Sequence, residues 1–187
     1  MSKTIVIFNQ KGGVGKTTTA INLSYALAKL GQRVLCVDMD AQSNLSSGLL
    51  EDYSEQASST YTLLTDDTKD IRSLIKPTKL DKLHVIDSST DIAGLEIELA
   101  QKGDWKEILK RRLDEIKGDY DFIFIDSPPS LGILSIMSLA AANSVIIPIQ
   151  AEYYALEGVS KLIRTIELVK ENYNQALTIE GVLITMF

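Results

Sequence analysis

Six short apolar runs rich in β-branched residues punctuate the chain: Thr4–Phe8, Arg33–Asp38, Leu83–Asp87, Phe122–Asp126, Ser144–Ile149 and Glu180–Met186. None alternates polar with apolar, so each reads as a strand buried on both faces. Between them the period changes to that of a helix. In Lys16–Leu30 the apolar residues Ala20, Leu23, Ala26 or Leu27, and Leu30 recur every three or four positions, and Gly31 ends the pattern. Asp104–Lys117 carries Trp105, Ile108, Leu109, Leu113 and Ile116 on one stripe before Gly118, and Leu156–Tyr173 repeats the theme. Strands apolar throughout and separated by helices predict an α/β fold: a mostly parallel, doubly wound sheet with helices on both faces. Glu51–Asp70 is the most polar stretch, with a small apolar knot at Tyr61–Leu64, and reads as a mobile surface excursion. "EGVLITMF" is a strand pattern with no covering helix after it, so residues 1–187 are expected to form a single domain lacking its C-terminal part.

Composition narrows this only slightly. At 187 residues with 45% hydrophobic and 24% charged positions, the chain suits one ordinary globular domain. A single cysteine, Cys36, excludes an internal disulfide framework and any multi-cysteine metal site. No apolar run reaches the roughly 20 residues that span a bilayer, and no signal peptide is legible, which predicts a cytoplasmic protein without stable membrane insertion. A net charge of −6 argues against binding nucleic acid through bulk charge.

The chemistry concentrates after the first strand. In "NQKGGVGKTTTA" glycines follow a strand and precede a helix. Glycines let the backbone turn sharply and present consecutive N–H groups to phosphate oxygens, and the helix N-terminus adds partial positive charge. Lys11, Gly12, Gly13, Val14, Gly15, Lys16, Thr17 and Thr18 form the candidate nucleotide cradle. Lys16 is placed to reach the β- and γ-phosphates and the Thr17 hydroxyl to ligate Mg²⁺. The match is deviant, because Gln10 stands where the usual motif has its first glycine. Asp126 ends a strand in "FIFIDSPPS", the position from which a carboxylate holds Mg²⁺ directly or through water. Another strand ends with Asp38 and then Asp40 in "VLCVDMDAQSN", and their spacing of two directs both side chains the same way if the strand continues. Asp40 is the candidate to orient an attacking water, and Asp38 the one to fix the loop. Together these residues point to ATP hydrolysis, and the absence of an N-K-x-D run favours ATP over GTP.

"KGGVGKTT", "DMDAQSN", "DFIFIDSPPSLGILS" and "IPIQAEYYALEGV" together resemble the ParA/Soj partition ATPases of the MinD-related deviant Walker group. The resemblance implies a nucleotide-sandwich homodimer when ATP is bound, DNA segregation with a ParB-like centromere-binding protein, and a nucleoid-associated location. It gives Lys11 a role at the nucleotide of the opposite subunit, and Glu152 a place at the dimer interface. Lys16, Thr17, Asp40 and Asp126 match its cradle, magnesium, water-positioning and Walker-B positions. Non-specific DNA binding is implied for the full-length protein. The family's basic contacts lie mostly towards its C-terminal part, so DNA binding by these 187 residues is expected to be weak. Ala41 and Ser43 depart from the family's frequent proline and glycine, and Asp87 stands where proline is common. A MinD-like membrane-cycling regulator and an ATP-dependent amidoligase are the alternative readings.

His84, Trp105 and the cluster Lys106, Lys110, Arg111 and Arg112 are read as structural. The cluster is interspersed with Glu107, Asp114 and Glu115 and is expected to be a solvated, ion-paired face.

Overall fold

The computed structural model describes residues 2–54, 59–151 and 155–186. Its centre is a seven-stranded sheet in the order β3-β4-β2-β5-β1-β6-β7. The strands are β1 (Lys3–Ile7), β2 (Val34–Asp38), β3 (Lys76–Pro77), β4 (Leu83–Ile86), β5 (Phe122–Asp126), β6 (Ser144–Gln150) and β7 (Thr178–Thr185). All neighbouring pairs are parallel except the two-residue edge strand β3, which runs antiparallel to β4.

The apolar runs have a simple cause in packing. Successive side chains of a strand point to opposite faces, and both faces are covered except at the edge strand β7, whose residues are exposed or half-buried despite their apolar pattern. Val6, Leu35, Val37, Ile123, Ile125, Val145 and Ile147 enter the larger core on one face. Ile5, Ile7, Val34, Cys36 and Phe124 enter the smaller core on the other. Helix α1 (Lys16–Lys29) and α2 (Asn44–Leu49) cover the smaller core through Ala20, Ala28 and Leu45. The larger core is covered by α3 (Ser59–Thr65), α4 (Leu95–Ala100), α5 (Trp105–Asp114), α6 (Ile133–Ala141) and α7 (Ala155–Asn172). The predicted architecture is therefore the observed one.

Four helices were not predicted: α2, α3, α4 and α6. Each has nine residues or fewer, too brief for its apolar positions to establish a period. The segment expected to be a mobile excursion contributes α3, whose Leu63 and Leu64 are fully buried. Burial of that apolar knot outweighs the polarity around it. The basic cluster also divides. Arg111 is exposed and pairs with Asp67 and Asp104, whereas Arg112 is only 3% exposed and donates to Glu115 and to the Lys69 carbonyl. His84 meets the Tyr120 hydroxyl at 3.0 Å, and Trp105 packs at the edge of the larger core.

Exposed apolar side chains gather on β7, where Ile179, Val182, Leu183 and Ile184 all face solvent. Just before the starts of β2 and β5, Asp121 accepts from the Arg33 backbone N–H at 2.8 Å and from the Arg33 guanidinium at 3.0 Å. These bonds lower the Asp121 pKa from 3.8 to about 2. A carboxylate depressed by folding adds stability above its ordinary pKa and loses it as pH falls through the folded value. Asp121→Asn should therefore lower the melting temperature at neutral pH. The gap from the parent should narrow between about pH 4 and pH 2, as followed by circular dichroism melts.

Candidate functional site

The strand order builds the site. Because β5 lies between β2 and β1, Asp126 is level with Asp38 on one side and Ile7 on the other. Loops from the C-terminal ends of these three strands therefore converge, at the crevice where open α/β sheets hold ligands. The loop after β1 carries the glycines. Gly13 has φ +73° and Gly15 φ +90°, backbone that glycine adopts without penalty. Gly15 opens α1 with no side-chain cap, and the first turn holds no acidic residue. The free N–H groups of that helix end are thus left to an anion.

Lys16 is buried at the start of α1, and its Nζ donates to the Lys11 carbonyl at 3.1 Å. Burial lowers its pKa, while Asp126 and Asp40 draw it back up. The Thr17 hydroxyl donates to Asp126 Oδ2 at 2.7 Å. The other oxygen, Asp126 Oδ1, is buried without a hydrogen-bond partner. Burial, and then the neighbouring Asp38 carboxylate, push Asp126 up to about 8. A buried carboxylate with one orphaned oxygen beside a hydroxyl suits a hard divalent cation. Among the described residues no group of three acidic, histidine or cysteine side chains forms a cage of its own. The residues fit Mg²⁺: Thr17 and Asp126 would hold it, and phosphate oxygens and water would supply the remaining ligands.

β2 stops at Asp38, so the two aspartates do not project from one continuous strand. The chain turns, and Asp38 accepts from the Asp40 N–H at 3.1 Å and from the Ser46 N–H and hydroxyl at 2.9 and 2.6 Å. Burial still pushes Asp38 up to about 6. These bonds hold the turn that carries Asp40. Asp40 itself is half-buried, accepts from the Gln42 N–H at 3.0 Å and lines the cleft. Ser43 has φ +53°, left-handed backbone where glycine would be unstrained. Asp87 is buried and pairs with Lys76 at 2.7 Å.

A cleft of about 440 Å³ gathers Gly12, Gly13, Gly15, Lys16, Thr17, Thr18 and Asp40, walled further by Gln42, Asn44, Pro129 and Met186. Asp126 lies beneath it. Lys11 does not line this cleft. Its exposed side chain reaches Gln150 Oε1 at 3.0 Å and borders a separate recess with Val14 and Ile149. Glu152 lies outside the described residues.

The protein-family model described as "AAA domain" (AAA_31) matches residues 2–179. The sporulation initiation inhibitor protein Soj of Bacillus subtilis is 50% identical over 186 residues, a match that covers all of this chain and 73% of Soj. The chain belongs to the Soj/ParA family of partitioning ATPases. Solved structures agree on the fold of this family member. A plasmid partition protein from Borrelia burgdorferi superposes with a TM-score of 0.86 at 31% identity, covering 100% of this chain and 79% of that one. Cobyrinic acid a,c-diamide synthase from Mycobacterium smegmatis, solved with bound ADP and magnesium, superposes with a TM-score of 0.92 at 37% identity, covering 100% and 76%.

Sequence reading missed two residues that touch the glycine loop of this partitioning ATPase. Gln150 Nε2 donates to the Gly13 carbonyl at 3.2 Å, and the Thr185 hydroxyl to the Val14 carbonyl at 2.8 Å. A signal existed for Gln150, a polar residue at the C-terminal tip of an apolar strand, the same cue that marks Asp126. Thr185 carries no such cue, because threonine is an ordinary strand residue.

Proposed function

We propose that this chain binds ATP with Mg²⁺, hydrolyses the γ-phosphate bond, and works as a nucleotide-controlled homodimer in DNA segregation with a ParB-like partner. The observation that carries the nucleotide reading is the Thr17–Asp126 hydrogen bond, with its orphaned carboxylate oxygen, beneath the uncapped N-terminus of α1. The loop N–H groups and Lys16 bind the phosphates. Thr17 and Asp126 hold the cation, which when bound neutralises charge on the phosphate oxygens. Asp40, which lines the same cleft, orients the attacking water. The DNA-segregation reading rests on the 50% identity to Soj and the likeness to a plasmid partition protein. Association with the nucleoid belongs to the same proposal.

Lys11 is assigned to the nucleotide of a second subunit. Its exposure and its position outside its own cleft support that assignment. A cation delivered only when the partner docks works as an arginine finger does. Lys11→Ala should leave ATP binding by the monomer unchanged while removing ATP-dependent pairing or turnover. Light scattering with and without ATP, beside a phosphate-release assay, checks this. An intact and active dimer would reject the trans role.

A ligase of small molecules is the second reading, favoured by the M. smegmatis diamide synthase. It requires turnover that depends on an acid substrate and an amide donor. ATP hydrolysis without either, stimulated by DNA and a ParB-like protein, favours partition.

A further inference from the structure

We infer that Thr185 and Gln150 are positioning residues for the phosphate loop: they hold two of its carbonyls outward so that the adjoining N–H groups face the phosphates. The inference rests on the nucleotide reading and adds to it the tips of β6 and β7, neither of which belongs to the loop, the helix or the acidic strands.

The argument is one of peptide geometry. In a planar trans peptide the C=O and the following N–H point in opposite directions. The Gly13 carbonyl shares its peptide unit with the Val14 N–H, and the Val14 carbonyl shares its own with the Gly15 N–H. Gln150 Nε2 holds the first carbonyl at 3.2 Å and the Thr185 hydroxyl the second at 2.8 Å. Both N–H groups are thereby turned away from β6 and β7.

Left alone, this loop would have little reason to stay so. Gly12, Gly13 and Gly15 surround Val14, and glycine has the widest choice of backbone conformations. Gly13 and Gly15 both sit at positive φ, flanking a single valine. Successive N–H groups form an anion-binding concavity only while that alternation persists. A side-chain donor on each carbonyl stabilises it before any ligand arrives, which reduces the ordering cost of binding.

The two anchors are themselves held. β6 and β7 pair in parallel from Ser144–Thr178 to Gln150–Thr185, and the Ala151 N–H donates to the Thr185 carbonyl at 3.2 Å. Thr185 also packs on Gly15. A Cβ built at Gly15 would meet Thr185 Cγ2 at 3.4 Å. The Val14 side chain is buried, so the loop is held from its apolar side as well. Gln150 uses both ends of its amide, since its oxygen accepts from Lys11 Nζ at 3.0 Å. It links the lysine assigned to the partner's nucleotide with the loop that serves its own.

The test compares Thr185→Ala, which removes the hydroxyl without placing a carbon against the carbonyl, with Thr185→Ser, which keeps it. Titration calorimetry with Mg-ATPγS should show about threefold to tenfold weaker binding for Thr185→Ala, the range expected for one hydrogen bond. Thr185→Ser should bind like the parent. Gln150→Leu should weaken binding to a similar degree. Melting temperatures recorded alongside separate loss of fold from loss of affinity. If Thr185→Ala binds as tightly as the parent, or Thr185→Ser as weakly as Thr185→Ala, the positioning role is wrong. A parent chain that binds no ATPγS overturns the nucleotide reading itself, an outcome distinct from the other two.

Discussion

Lys16→Ala should weaken ATP binding by about a hundredfold or more, the largest effect on affinity expected from any single change in this chain. Two causes act together. The phosphates lose a cation that the fold keeps at the cleft, where burial reduces the screening that water would provide. The variant also leaves the Asp126 and Asp40 carboxylates without the charge that faces them in the parent. Asp126 is already raised to about 8 by burial and by Asp38, so removing Lys16 should favour its protonated form further. Titration calorimetry with Mg-ATP measures the affinity, and circular dichroism establishes that the variant still folds. Unchanged affinity in a folded variant would remove Lys16 from the cradle.

Asp40→Ala should show the opposite pattern, with ATP affinity within about threefold of the parent and turnover reduced by about a hundredfold to ten-thousandfold, the usual contribution of a positioned proton acceptor. The hydrogen bond that the Asp40 carboxylate accepts in the cleft comes from Gln42, not from Thr17 or the glycine loop, so the ground-state contacts to the phosphates should survive its loss. Because its carboxylate also accepts from the Gln42 N–H, alanine could disturb the turn as well as the chemistry. Asp40→Asn separates the two, since the amide oxygen still accepts that bond while the charge is gone. Both variants should bind ATP and both should fail to release phosphate in a steady-state assay. Normal turnover in Asp40→Asn would mean that another group orients the water.

Much of the site was legible because it is compact in sequence. Lys16 and Thr17 follow Gly15 directly, and their roles depend on a strand, a turn and a helix that each leave a local pattern. Asp126 and Asp38 were visible as acidic residues ending apolar strands. The short helices were harder. α2 and α4 have six residues each and α3 seven, and their apolar positions make sense only against the sheet they cover. Arg112 shows the same limit from the other side. Its sequence neighbours are charged and exposed, yet its side chain is buried against a loop some forty residues away.

By itself the sequence determined the fold class and the residues able to carry nucleotide chemistry. Periodicity sets which faces must be buried, and glycines and caps act within a few residues. It also held both lysines of the phosphate loop. Only the tertiary structure decided how those residues are arranged against one another. The strand order places β5 between β1 and β2, which brings Asp126 beneath Thr17 from more than one hundred positions away. The pairing of β6 with β7 carries Gln150 and Thr185 to the loop's carbonyls. Contacts of this kind are made by strand order and register, which depend on how all the apolar faces pack at once and which no local window records.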